Sequence, residues 1–86
     1  MIAITIYSRP GCHLCEAMTS VVQRAVRVSG VAATIEEIDI SGDAELEARY
    51  GMDIPVLLVE GQKTAKHRVT EAEVTRMLRA RSTTSQ

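Results

Sequence analysis

Ser8-Arg9-Pro10-Gly11-Cys12-His13-Leu14-Cys15-Glu16 holds both cysteines of the 86-residue chain. Before it, residues 2–7 form a short apolar run. After it, Leu14, Ala17, Met18, Val21, Val22, Ala25 and Val26 recur at the i, i+3, i+4, i+7 spacing of an amphipathic helix. The pattern predicts a strand ending at this stretch, a turn at Pro10-Gly11, and a helix beginning at or just after Cys12. A Cys-x-x-Cys at the strand-to-helix junction of a βα unit points to a redox dithiol.

Chemistry explains that placement. Disulfide exchange needs a thiolate, and a free cysteine near neutral pH is mostly thiol. A helix N-terminus offers unpaired N–H groups and about half a positive charge. Cys12 gains both, and Arg9 adds a further positive charge nearby. Cys15 stands nearly one helical turn on, so its sulfur can face that of Cys12. The expected roles are Cys12 as nucleophile and Cys15 as resolving thiol. Two alternatives compete. A structural bridge over two residues closes a very small loop and removes little unfolded-state entropy. A structural zinc site usually takes four protein ligands; the chain offers Cys12 and Cys15 with no second Cys-x-x-Cys, so a full set would have to enlist both histidines, His13 and His67. The dithiol reading is preferred to both.

Composition narrows the class. Hydrophobic residues are 45% and charged residues 24%, ordinary for one globular domain. There is no Phe or Trp, so the core must be aliphatic, and the stacking platforms that bind single-stranded nucleic acid are missing. A net charge of −1 gives no reason to expect a polyanionic partner. No apolar stretch is long enough to span a membrane. The first apolar run has no basic segment ahead of it and reads as a strand, not a signal peptide. Two cysteines are too few for a disulfide-rich secreted scaffold, so a reducing cytoplasm is the expected setting.

The rest of the chain follows in order. Gly30 is a stop signal for the first helix. Residues 31–40 predict a second strand, with a bulge or an edge position near Glu36-Glu37 to explain its broken alternation. Those two acids read as solvated. Asp43 is an N-cap for a short helix carrying Leu46 and Tyr50, with Gly51 as its C-terminal cap. Pro55-Val56-Leu57-Leu58-Val59 predicts a central buried strand, with proline tolerated only at its start. Glu60-Gly61 is a hairpin turn, and the mostly polar 62–69 is its antiparallel edge partner, on which His67 is solvated. Thr70-Glu71-Ala72-Glu73 is a capping box, and Val69 with Val74 forms the hydrophobic staple of a last helix. One domain over 1–81 and a disordered polar tail over 82–86 are expected.

In this order of elements, β-α-β-α-β-β-α, the chain resembles the glutaredoxin family of the thioredoxin fold. The motif Tyr7-Ser8-Arg9-Pro10-Gly11-Cys12-His13-Leu14-Cys15 is similar to the family's active-site segment, and Ile54-Pro55 to its cis-proline. Cys-His-Leu-Cys with Ile-Pro-Val-Leu is similar to a small glutaredoxin-like group within it. The resemblance implies an α/β fold with a four-stranded mixed sheet ordered 2-1-3-4, three helices on its two faces, and Pro55 in the cis form. It implies a dithiol-disulfide oxidoreductase with Cys12 and Cys15 catalytic. Arg9, His13, Ile54, Pro55 and Thr70 are its candidate substrate-binding residues, and a protonated His13 would also stabilise the Cys12 thiolate. No tightly bound cofactor is implied. Partners would be protein disulfides or glutathione, with glutathione or a reductase as electron donor, acting on a monomer. The Gly-Gly-x-Asp of glutathione-binding members is absent; the corresponding stretch is Ala65-Lys66-His67-Arg68-Val69-Thr70-Glu71. A protein disulfide is therefore an alternative to glutathione as substrate. The rival functions are an interaction module without turnover and a metal-binding module carrying zinc or an iron–sulfur cluster.

Overall fold

The alternation of Ile2, Ile4 and Ile6 buries one face of the first strand almost completely, while Ala3 is exposed and Thr5 and Tyr7 are half-buried. In the computed structural model, which describes residues 1–84, the elements run β1 (Ile2–Ser8), α1 (His13–Ser29), β2 (Ala33–Asp39), α2 (Ala44–Tyr50), β3 (Val56–Val59), β4 (Gln62–Lys66) and α3 (Glu71–Thr84). The sheet order is β2-β1-β3-β4. β1 and β2 are parallel; β3 is antiparallel to both of its neighbours, β1 and β4. This is the mixed sheet expected.

The core lies on one side of the sheet. Ile4 and Ile6 of β1 and Leu57 and Val59 of β3 pack with Met18, Val22 and Ala25 of α1 and Val74 and Leu78 of α3. Every residue of β3 is buried, as its unbroken apolar run predicts. Its other face, with Val56 opposite Tyr7, is covered from α2, where Tyr50 stacks on the Tyr7 ring at 4.7 Å. α2 itself buries no residue completely.

Several local readings hold in detail. Gly30 closes α1 in the left-handed region. The Asp43 carboxylate caps α2 by accepting from Leu46 N–H at 3.1 Å. At α3 the box is reciprocal: Glu73 N–H donates to Thr70 Oγ1 at 3.1 Å and Thr70 N–H donates to Glu73 Oε1 at 2.9 Å. Val74 belongs to the core cluster, and the partly buried Val69 packs against that cluster.

Other readings shift. β2 pairs with β1 in unbroken register from Ala33 to Asp39, so no bulge interrupts it; the edge position alone exposes Glu36 and Glu37. The irregularity lies instead between Leu57 and Leu58, opposite β4. β4 stops at Lys66, short of 69, because the backbone turns sharply at His67. Gly51 caps α2 through its N–H to Glu47 O, but in right-handed geometry. Its need for glycine is space, since a Cβ there would stand 2.5 Å from Glu47 O. α3 continues to Thr84, past the boundary expected at 81. The rest of the expected tail, 85–86, lies outside the described residues. No helix among the described residues is long and apolar enough to cross a membrane.

Candidate active site

One end of the sheet collects the residues of interest. β1 ends there, opposite the start of β3, since Tyr7 pairs with Val56. β4 ends there too, since Val56 pairs with Lys66. The loops at 9–12, 51–55 and 67–70 therefore leave from the same edge.

Cys12 is the N-cap of α1, with extended backbone at φ −93° and ψ 108°. Its Sγ accepts the Cys15 N–H at 3.1 Å, and its carbonyl accepts from Glu16 N–H at 3.1 Å. Serine or aspartate usually takes this capping position; here a sulfur receives the orphan donor. The two cysteines are joined by a disulfide, with Cα atoms 5.2 Å apart. Their exposures differ in kind: Cys12 is half-buried, while Cys15 is 1% exposed. A thiolate on Cys12 would keep the Cys15 N–H and the positive end of α1.

A cleft of about 320 Å3 flanks the pair, and Arg9, Glu16, Glu37 and Asp39 contribute to its lining. A second hollow of about 350 Å3 runs along another flank of α1, between Leu14, Ala17, Met18 and Val21 on one side and 67–70 on the other. Leu14 belongs to the motif yet is 37% exposed. It is the apolar lip of that hollow.

The structure gives Arg9 a partner that spacing does not suggest. Its guanidinium pairs with the Glu47 carboxylate of α2. The missing Cβ of Gly51 leaves room for that guanidinium, whose Nη2 would stand 3.1 Å from such a carbon. Arg9 thus lines the dithiol cleft with its charge already matched. Asp39, across the cleft, is held below the ordinary carboxylate range by the Ser41 hydroxyl and Ser41 N–H, with a smaller pull from Arg9.

The remaining candidates fall around the same end. His13 is the exposed first residue of α1. Ile54-Pro55 is a cis peptide; Pro55 is buried and Ile54 half-buried. Thr70 lines the second hollow, with its hydroxyl engaged by Glu73. His67, read as solvated, is exposed but bonded: Nε2 lies 3.2 Å from Met52 O. Sequence reasoning missed Glu47 and Met52. They stand 38 residues from Arg9 and 15 from His67, beyond any local pattern. Among the described residues, no group of three or more His, Cys, Asp or Glu side chains is placed to share a metal ion.

Comparison with known proteins agrees with this geometry. A family model described as Glutaredoxin-like domain (DUF836) matches residues 3–79. The curated Glutaredoxin-like protein YDR286C homolog of Dictyostelium discoideum is 32% identical over 74 residues, covering 81% of this chain and 68% of its own. The crystal structure of protein XcR50 from X. campestris superposes with a TM-score of 0.75 at 27% identity, over 90% of this chain and 96% of that one. A thioredoxin from Halobacterium salinarum superposes with a TM-score of 0.59 at 19% identity, over 92% of this chain and 73% of that one, a likeness of fold alone.

Proposed function

The chain belongs to the glutaredoxin-like family, on a thioredoxin fold, and from that premise we propose that it is a dithiol-disulfide oxidoreductase acting on protein or glutathione mixed disulfides. One observation carries the reading: the helix-capping Cys12 sulfur receives the Cys15 N–H at 3.1 Å while Cys15 itself is 1% exposed. A half-buried cysteine with a donor aimed at its sulfur suits attack. A buried sulfur one turn away suits resolution.

In the reducing direction the Cys12 thiolate attacks one sulfur of a substrate disulfide. A Cys12–substrate disulfide forms and the other substrate sulfur leaves as thiolate. Cys15 then gives up its proton to solvent and attacks Cys12 Sγ. The Cys12–Cys15 bond forms and the second substrate thiolate leaves. Two electrons pass from protein to substrate, and the product is the disulfide seen here. A thiol donor, glutathione or a reductase, restores the dithiol. In this reading the substrate is held by Arg9, which lines the cleft beside the dithiol, and by His13, Ile54, Pro55 and Thr70 around the same end of the sheet.

The test is a redox titration in glutathione buffers, followed by intact mass. A reversible loss of two hydrogens, with a midpoint between about −120 and −280 mV, is expected of a redox enzyme of this kind. A pair that never closes, or never reopens, would overturn the reading.

A further inference from the structure

His67 holds a backbone conformation that side chains other than glycine mostly avoid. Its φ is +67°. Across it the Arg68 N–H donates to Lys66 O at 2.7 Å, so 66–68 form a γ-turn of the rare, strained hand. Glycine would take this φ at no steric cost. The chain places an imidazole there instead, and the strain has a visible use. His67 N–H donates to Pro55 O at 2.8 Å, and the ring Nε2 lies 3.2 Å from Met52 O. One residue earlier, Lys66 Nζ lies 3.5 Å from Asp53 Oδ1. Three contacts from two adjacent residues thus grip the segment 52–55, which has no helix or strand of its own. Its own local tie is Asp53 N–H to Tyr50 O at 2.8 Å.

That segment matters because of where it lies. It enters β3 at the sheet end that carries the dithiol, and an extended peptide bound beside Cys12 would find backbone groups of Ile54 to pair with. Such pairing needs a backbone held still before the substrate arrives. We propose that His67 is a positioning residue: the strained turn at 66–68 aims its imidazole at the Met52 carbonyl and clamps 52–55 in place for a disulfide-bearing peptide. The inference rests on the dithiol reading above. The bond needs a proton on Nε2, which the Nε2–H tautomer and the protonated ring both supply. The carbonyl of Met52 accepts.

Two substitutions separate the clamp from the backbone. His67→Gly keeps the left-handed turn and removes the ring; His67→Gln restores a donor of similar reach. Pre-reduced protein is mixed in single turnover with a peptide disulfide, or with 2-hydroxyethyl disulfide, which is too small to span 52–55. Amide exchange is followed at Met52, Asp53 and Ile54. For His67→Gly the half-saturating peptide concentration is expected to rise about fivefold, the worth of one net hydrogen bond. The limiting rate and the small-disulfide rate change far less, the melting temperature does not fall, and exchange at 52–54 speeds up. His67→Gln recovers most of the peptide saturation. Unchanged peptide saturation in His67→Gly overturns the proposal, as does an equal slowing with both probes or unchanged amide exchange. Wild-type protein that reduces neither probe overturns the redox reading, and the substrate role with it. The exchange data would then still report whether the clamp exists.

Discussion

Cys12 and Cys15 carry the same thiol in different surroundings. Cys12 caps a helix and is half-buried; Cys15, one turn on, is 1% exposed. Reactivity follows thiolate fraction and access together. Reduced protein treated with iodoacetamide at neutral pH should therefore carry the label on Cys12 well before Cys15, read by peptide mass. Equal labelling would remove the basis for the two roles. Gly51 offers a second test at this scale. Its φ of −56° is one alanine accepts freely, and helix propensity alone favours alanine over glycine by about 1 kcal/mol. The new Cβ, however, would stand 2.5 Å from Glu47 O and 3.1 Å from Arg9 Nη2. Gly51→Ala is expected to destabilise by about 1–3 kcal/mol in urea unfolding, the usual cost of overpacking. A stabilised variant would mean that Arg9 and Glu47 move aside at no cost.

At the scale of elements, α3 shows a sequence signal whose physics is complete. The Thr70 hydroxyl and the Glu73 carboxylate each satisfy the other's backbone N–H. Thr70→Ala should cost about 1 kcal/mol. The carboxylate adds a pH signature. Glu73 is held below its ordinary value, first by the Thr70 N–H, then by the Thr70 hydroxyl, with Arg76 adding a smaller pull. A depressed folded-state value means the ionised form belongs to the folded protein. Its contribution is fully present above the unfolded glutamate value of 4.5 and is lost as pH falls through the folded value. Glu73→Gln keeps the box and removes the titration. The gap in melting temperature between wild type and this variant should narrow as pH drops below 4.5; a constant gap would exclude the carboxylate as its source. Elements of this kind are legible in sequence because cap, staple and periodicity lie within a few residues of each other. The unbroken register of β2, the right-handed geometry at Gly51 and the Arg9–Glu47 pair are not legible, because each depends on what another element presents. His67 is the plainest case: a polar residue after an edge strand looks solvated until its bond to Met52 O is in view.

At the scale of the whole molecule, the sheet has two unequal faces, and β3 contributes to both. Leu57 faces the side covered by α1 and α3 and is fully buried within the main cluster. Leu58, one residue on, points to the opposite face, beside Thr5 in β1. That face is covered from the seven-residue α2, which buries no residue of its own completely, and Leu58 keeps 8% of its surface exposed. Leu57→Ala should therefore cost about 2–5 kcal/mol, the range for a cavity in a closed core. Leu58→Ala should cost less, since the thinly covered face can collapse or admit water. Denaturant midpoints at equal m-values measure the difference. The same pair tests how the site is carried. Loops 9–12, 51–55 and 67–70 hang from one end of β1, β3 and β4, and the strands there are joined by backbone pairing that neither substitution removes. While each variant stays folded, the preference of alkylation for Cys12 over Cys15 should survive both. Loss of that preference in Leu57→Ala alone would place the support of the dithiol in the α1 packing, and not in the strand ends from which the loops depart.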